Sequence, residues 1–394
     1  MAFLYLLAVF GYFLLEKMLI SLLLFLVATY AVFTFTLAGV WLKKVTFGKR
    51  FMRKVPKDTT ISVLVAARNE ALNLPYLLRD LAKQRYPKAL LEVIIINDHS
   101  TDDTVFQIEN LREELDFPIH IIHLEDFDLR GKKNAIKIGV QQAQGELIVC
   151  TDADCRVGEF WVLGMQQLYK GQNAKLISGG VTFIPDGRLW TIIQSIEFAS
   201  LVGSGACAMM IGKPNMCNGA NIAYPKAVFE EVNGFEGNEH IASGDDEFLM
   251  HKIAEKYPNQ IVFAHYQPNI VYTQAQGNLR SFVQQRKRWA SKWNHYKDWK
   301  ITFLAIAIFS LNFGMLLSPF LWLINDLTTT QFMVLWLVRC LPEYFFLAPV
   351  LSFFKKGTYI KYIPFVQILY PFYVVFFGIS AWKKGYVWKG RKHF

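Results

Sequence analysis

The run Glu146-Leu147-Ile148-Val149-Cys150-Thr151-Asp152-Ala153-Asp154 decides how this chain is read. Leu147–Cys150 is a short apolar stretch of the kind that forms a strand buried in a parallel sheet. Two carboxylates follow it, two residues apart. Side chains at i and i+2 of an extended segment point to the same side, so Asp152 and Asp154 repel each other unless a cation stands with them. Hard divalent cations take oxygen ligands from a few carboxylates and from phosphates. The pattern therefore suits a cation carrying a diphosphate. Alone, an Asp-x-Asp pair is more often a polar strand end, and its surroundings decide between the two.

Upstream, the same strand-and-helix unit repeats. Thr60–Ala66 is a β-branched run, followed by Ala67-Arg68-Asn69-Glu70 and a helical pattern from Leu74 to Gln84. Leu91–Ile96 is a second strand, ending in Asn97-Asp98-His99-Ser100. Thr101-Asp102-Asp103-Thr104 caps a helix that runs to about Leu115. Ile119–Leu124 is a third strand, and Arg130-Gly131-Lys132-Lys133 opens a helix over Asn134–Gln144. The order βαβαβαβ predicts a right-handed parallel α/β sheet. Ligands of such sheets bind beyond the carboxyl ends of the strands, where Glu70, Asp98, Asp152 and Asp154 all fall.

The second half is mixed. Lys175–Phe183 and Asn221–Ala223 read as strands, with Gly179-Gly180 and Asn218-Gly219 as turns or close approaches. Asn233-Gly234-Phe235 is a turn. Ser243-Gly244-Asp245-Asp246-Glu247 precedes a helix over Phe248–Ala254, and acids there suit the positive end of the helix dipole. Ile261–Ala264 and Ile270–Tyr272 are further strands. Ser281–Lys297 reads as a helix in which Gln285, Arg288 and Trp289 share one face. An amide, a guanidinium and an indole together bind a sugar or its phosphate. The competing reading is an amphipathic helix at a membrane surface.

The 394 residues are 53% hydrophobic and 15% aromatic, with net charge +10. Met18–Leu42, Ile301–Ile324, Gln331–Phe354 and Tyr362–Trp382 are each long and apolar enough to cross a bilayer. Ala2–Leu15 is apolar but shorter: a short span, an interfacial helix or an extension before Met18. No small-residue cleavage site follows it, so it does not read as a signal peptide. These stretches divide the chain into a membrane region over 1–42, a soluble domain over 43–300 and a second membrane region over 301–394. Basic residues crowd both junctions: Lys43, Lys44, Lys49, Arg50, Arg53 and Lys54 before the domain, Arg286, Lys287, Arg288, Lys292 and Lys297 after it. The positive-inside rule places the domain in the cytoplasm, against anionic membrane lipids. Nucleic acid is a poor partner, because the charge sits at the junctions while the cleft candidates are acidic. Cys150, Cys155, Cys207, Cys217 and Cys340 show no paired spacing, so neither a disulfide nor a zinc site is expected.

The tail carries Lys383, Lys384, Lys389, Arg391 and Lys392, which also favour the inside. Three full crossings after the domain contradict that, so one segment is expected to be re-entrant or interfacial. Tyr362–Trp382, interrupted by Pro364 and Pro371, is the first candidate. Arg339 and Glu343 lie one helical turn apart in an apolar segment and are expected to pair, facing protein.

Taken together these pieces resemble glycosyltransferase family 2, over about Ile61 to Trp289 and in the family's order. Ile61-Ser-Val-Leu-Val-Ala-Ala-Arg-Asn-Glu70 is similar to its first strand and loop, with Arg68 where an aromatic is common. Asp98-His-Ser-Thr-Asp-Asp-Thr104 resembles the run whose first Asp holds the base. Gly131-Lys132, Asp152-Ala-Asp154, Gly244-Asp245-Asp246 and Gln285-Arg-Lys-Arg288-Trp289 are similar to its Gly-Lys turn, D-x-D, Glu-Asp pair and Q-x-x-R-W signature. The last marks membrane-embedded members, among them cellulose, hyaluronan and poly-N-acetylglucosamine synthases and ceramide or hopanoid glucosyltransferases.

The resemblance implies a GT-A domain, α/β with a mostly parallel, Rossmann-like sheet, in the cytoplasm between transmembrane helices of a multi-pass protein, as in a bacterial inner membrane. It implies Asp246 as catalytic base. Ala67, Glu70, Asp98, Lys132, Asp152, Gln285, Arg288 and Trp289 would bind the nucleotide sugar, and Asp154 a Mg²⁺ or Mn²⁺ ion. Asp245, Lys133 and Asn221 are further candidates. The reaction implied is an in-line displacement that inverts the anomeric centre of a nucleotide-diphosphate sugar, UDP foremost. The acceptor is expected to be a lipid. A processive polysaccharide synthase, with or without a partner subunit, is the alternative.

Overall fold

Val63 and Val65 face one side of their strand and Leu64 the other, and all are fully buried. A strand covered on both faces keeps a continuous apolar run, which is why Ile61–Ala67 lacks polar alternation. The computed structural model describes residues 2–47, 55–237, 244–290, 299–380, 386–388 and 391–393. Lys49, Arg50, Arg53, Lys54, Ser243, Lys292, Lys297, Lys383, Lys384 and Lys389 lie outside the described residues.

The chain begins with helix α1 (Ala2–Trp41), in which the short apolar stretch runs straight on into the next. Then follow β1 (Ile61–Ala67), α2 (Leu74–Ala82), β2 (Leu91–Asn97), α3 (Thr104–Arg112), β3 (Ile119–His123), α4 (Lys132–Gln142) and β4 (Leu147–Asp152). The second half contains α5 (Trp161–Gln172), β5 (Leu176–Gly179), β6 (Val181–Phe183), α6 (Leu189–Met210), β7 (Ile222–Pro225), α7 (Lys226–Glu231) and α8 (Asp245–Lys256). β8 (Ile261–Ala264), β9 (Val271–Thr273), α9 (Leu279–Ala290), α10 (Trp299–Leu323), α11 (Thr329–Phe353) and α12 (Ile363–Ser380) follow, with a short antiparallel pair, β10 (Tyr386–Trp388) and β11 (Arg391–His393), after them.

The main sheet has seven strands in the order β3-β2-β1-β4-β7-β5-β8. It is mostly parallel, as expected, but β7 runs antiparallel to both β4 and β5. The stretch expected as one strand over Lys175–Phe183 is two. Gly180 breaks it, and β6 leaves to pair with β9 in a separate sheet. The cause is visible at the break: Gly180 O accepts from Asn221 Nδ2 at 2.9 Å and from Val271 N–H at 3.0 Å. A Cβ on Gly179 would stand 2.1 Å from Asn221 Nδ2, so this close approach needs glycine.

One face of the sheet packs on α2, α3 and α5. The other packs on α4, α6 and α8, and its core continues into Trp41 of α1 and Phe346, Val350 and Phe353 of α11. α6 was not expected from the sequence. It is apolar enough to cross a membrane but lies mostly buried between the sheet and α11. In all, five described helices are long and apolar enough to cross a membrane: Lys17–Thr46, Leu189–Met210, Thr302–Leu323, Thr329–Phe353 and Gly357–Ser380. The last, expected to be re-entrant or interfacial, is a continuous helix through Pro371, so it is no re-entrant hairpin. Arg339 and Glu343 do pair, with Nη1 and Oε1 2.5 Å apart, and Gln367 of α12 and Tyr30 of α1 close the buried network.

Candidate active site

The parallel register sets the site. Ala67 lies opposite Asn97 across one ladder, and Ala66 opposite Asp152 across the other. Asp98, one residue past β2, and Asp152, the last of β4, therefore flank the end of β1. Ala67 O accepts from the Asp98 N–H at 2.8 Å. Arg68 Nη1 donates to the carbonyls of Asp98 and His99, at 2.8 and 3.1 Å, and closes this loop from the β1 side. His99 Nδ1 stands 3.3 Å from Asp98 Oδ1.

Glu70 is buried in the loop before α2. Its Oε2 accepts from Asn73 Nδ2, and its N–H donates to Thr104 Oγ1, both at 2.8 Å. These bonds brace the loop. Asp102, two residues before α3, does the same, accepting from the N–H groups of Thr104 and Ala71.

Lys132 and the acids meet through two glycines with positive φ. Gly131 (φ 90°) precedes α4 and Gly244 (φ 84°) precedes α8, a backbone region that residues with a Cβ adopt only under strain. Lys132 Nζ donates to Asp152 Oδ1 at 2.5 Å. Burial works against its ammonium, but the carboxylates of Asp152, Asp245 and Asp246 outweigh it and hold the lysine pKa above its ordinary value. Lys132 is thus a fixed positive charge among three carboxylates. Lys133 Nζ lies 5.5 Å from the ring centre of Phe248 on α8.

Asp246 occupies the first turn of α8. Its Oδ2 accepts from Gly219 N–H at 2.6 Å and its Oδ1 from Glu247 N–H at 2.9 Å. Lys132, Gly219, Asp245 and Asp246 share a small cavity floored by Ile136, Ile222, Tyr224 and Leu249. The two sides of the cleft, β4 and α8, are therefore brought together.

Ligand atoms of Asp152, Asp154 and Cys155 lie within 4.8 Å of one another. Thr273 Oγ1, at the end of β9, donates to Asp154 Oδ2 at 3.3 Å. Burial, with Asp154 and Asp152 alongside, pushes the Cys155 thiol well above its ordinary pKa. A soft thiol is a poor ligand for a hard divalent cation. What remains is a pair of carboxylates and a hydroxyl, a donor set that fits a hard divalent cation.

Asn221 has a different job from the one expected. It is fully buried. Its Nδ2 donates to Gly180 O and Asn269 O, and its Oδ1 accepts from Trp161 Nε1 at 2.9 Å. All its amide bonds are made inside the protein, so it knots the sheet and does not face a ligand.

Gln285, Arg288 and Trp289 lie on α9 as expected, and all are partly buried. Trp289 stacks on Phe198 of α6 with centroids 5.7 Å apart. Three contacts were missed in the sequence: Gly219, Thr273, and the Arg286–Glu197 pair beneath Trp289. Gly219 was legible only as a turn. Nothing local marked the other two.

The fold and site define a GT-A glycosyltransferase domain. Residues 62–232 match the family described as Glycosyl transferase family 2. The poly-β-1,6-N-acetyl-D-glucosamine synthase of Staphylococcus epidermidis is 32% identical over 177 residues, which span 44% of this chain and 41% of that protein. The same enzyme of Staphylococcus aureus aligns with the same identity and coverage. The chain thus aligns with less than half the length of these curated relatives. Among solved structures, a mannosyltransferase from Pyrobaculum calidifontis, in complex with GDP-mannose and Mn²⁺, superposes with a TM-score of 0.60 at 17% identity. The match covers 89% of this chain and 99% of that one, and it shows the shared fold.

Proposed function

We propose that the protein is a membrane-bound polysaccharide synthase that moves N-acetylglucosamine from its UDP-linked donor onto the end of a growing β-linked chain. The observation that carries this is the 32% identity with poly-β-1,6-N-acetyl-D-glucosamine synthases over 177 residues. The sequence motifs alone favoured a lipid acceptor; the relatives favour a polymer, and the same site serves either.

Each residue has a role in this reading. Asp98 and Asp152 flank the end of β1 and hold the nucleotide. Asp152 and Asp154 would hold Mg²⁺ or Mn²⁺, which when bound neutralises the departing diphosphate. Lys132, already a fixed cation, turns from Asp152 towards the diphosphate oxygens. Asp246 takes the proton of the acceptor hydroxyl as it attacks the anomeric carbon. Gly219 N–H and Glu247 N–H aim its carboxylate before substrate arrives. Arg288 offers a charge to the departing diphosphate, and Trp289, with Phe198 and the Arg286 guanidinium against its ring, holds α9 in place. Attack opposite the leaving group turns an α-linked donor into a β-linked product.

The test is direct. The protein in native membranes is given a panel of radiolabelled nucleotide sugars, and products are separated into organic phase and polymer. Label from UDP-N-acetylglucosamine in a high-mass, β-linked polymer is expected. Label confined to a lipid carrying one sugar would replace the polymer reading with lipid transfer. No transfer from any nucleotide sugar would remove both.

A further inference from the structure

Arg286 stands inside the Gln285–Trp289 signature, yet it faces the protein interior. Its side chain is 3% exposed. Its Nη2 pairs with Glu197 Oε2 on α6, and its Nη1 donates to Gln285 Oε1 at 3.3 Å. The guanidinium carbon lies 4.1 Å from the ring centre of Trp289 and 4.7 Å from that of Phe282. The other oxygen of Glu197, Oε1, accepts from Tyr373 Oη on α12 at 2.8 Å. Phe198, the neighbour of Glu197, is the residue on which Trp289 stacks.

A buried charge without a partner is strongly unfavourable, so Arg286 and Glu197 must meet. Where they meet is fixed by α6 and α12, not by α9. The pair therefore sets the rotation of α9 about its own axis. A side-chain tip about 6 Å from a helix axis moves by about 2 Å for a rotation of about 20°. Lysine cannot replace the guanidinium here, because a compact ammonium has neither the planar fork nor the flat face that touches Trp289.

We infer that Arg286, Glu197 and Tyr373 are positioning residues, which set the aim of Gln285 and Arg288 at the transferred sugar and the departing diphosphate and tie it to membrane-helix candidate α12. The inference rests on the transferase reading above. Nucleotide binding rests mainly on Asp98 and Asp152 at the strand ends, whereas α9 meets the sugar and diphosphate as they part.

The full-length protein, in lipid, is assayed for turnover of UDP-N-acetylglucosamine as wild type, Arg286→Lys, Tyr373→Phe and the double variant. UDP affinity and thermal unfolding are measured alongside. Arg286→Lys is expected to lower kcat about a hundredfold, as a misplacement of about 1 Å does. KM for the donor and the UDP affinity are expected to stay within about twofold. Tyr373→Phe should lower kcat about tenfold, and the double variant should lose no more than Arg286→Lys alone, because both act through one unit. If Arg286→Lys fails to fold, Tyr373→Phe, which deletes a single hydroxyl, is judged by the same split. Folded variants with unchanged kcat, or a loss seen in KM and UDP affinity instead, overturn the inference. A wild type that turns over no nucleotide sugar overturns the transferase reading itself, and the inference with it.

Discussion

Replacing Lys132 with methionine separates two roles that one ammonium plays, because its effects on metal and on sugar transfer have opposite signs. Lys132 Nζ lies 2.5 Å from Asp152 Oδ1. At an effective dielectric of about 20, a unit pair at that distance attracts by roughly 7 kcal/mol before desolvation. The two side chains are 24% and 38% exposed. Water and desolvation therefore remove most of that, leaving about 1–3 kcal/mol, between the values for surface and buried pairs. Methionine keeps the apolar stem and removes the charge. Asp152, Asp245 and Asp246 then face each other without it, so the substrate-free protein should lose about 1–3 kcal/mol of stability. Those carboxylates should bind a lone divalent cation more tightly, by about ten- to a hundredfold, since each 1.4 kcal/mol is a factor of ten. Transfer should move the other way. A cation aimed at a departing diphosphate is worth about 10²–10³ in kcat. The assay is calorimetric Mn²⁺ binding without nucleotide, paired with turnover of the labelled donor at saturating Mn²⁺. Mn²⁺ affinity that is unchanged or weaker in a folded Lys132→Met protein would refute the competition for Asp152. Turnover near wild type would refute the role at the diphosphate.

Asp246→Asn should lower transfer by about 10²–10⁴ and also cost about 1–2 kcal/mol of stability. Both carboxylate oxygens accept N–H groups, and the new amide must present its own N–H to one of them. Near-normal turnover in a folded, nucleotide-binding variant would take the base role away from it. Gly179→Ala should destabilise the protein by about 2–4 kcal/mol by expelling Asn221 from its bonds; a loss under about 1 kcal/mol by thermal unfolding counts against the knot. Burial lowers the pKa of Lys356 to about 8, with Asp186 opposing it. The folded state then sheds this proton at a pH where the unfolded chain still holds it, so stability should rise from about pH 8 to about pH 10.5, by at most about 3 kcal/mol. Lys356→Met should flatten that rise, and an unaltered alkaline profile would count against it. Burial lowers the pKa of His251 as well. Its share of stability is present above the unfolded value of about 6.5 and is lost as pH falls below it. A His251→Gln protein with the same acid limb as wild type would refute this.

The first four strands were legible because each is a bounded apolar run that ends in a polar loop, and β1, β2 and β4 are buried on both faces. The acids at their ends were legible for the same reason: direction and strand end fix where Asp98 and Asp152 stand. α6 was not. Its sequence carries Gln194, Ser195, Glu197, Gly203 and Gly205 among apolar residues. It is buried by the sheet on one side and by α11 on the other, so no single apolar stripe appears. The direction of β7 depends on what connects it, not on its own four residues. Asn221 misled because a polar residue at a strand end near a glycine looks like a ligand contact. Only the structure shows Trp161 and Asn269 closing on it. Glu197, Arg286 and Tyr373 join elements far apart in the chain, and no spacing rule reaches that far.

The same long-range contacts say how the site is held. Trp41 at the end of α1 packs edge-on against Phe353 of α11, with centroids 5.5 Å apart, and against Phe263 of β8 at 6.2 Å. Lys356, after α11, donates to Phe183 O of β6 at 2.7 Å. Phe354 fills the space that a side chain at Gly180 would need. A sheet joined to its apolar helices by a shared core behaves as one body, unlike domains that meet across a small polar interface. Each strand end, and with it Asp98, Asp152 and Asp154, is then set at a fixed height relative to those helices. α9 is secured to the same body at a second place, through Arg286 and α12. For the proposed synthase this matters after each transfer. The two ends of the site, nucleotide acids and signature helix, are both anchored, so the product must advance past a stationary cleft. The part that moves is the Lys132 side chain, which has a second partner to go to when a diphosphate arrives.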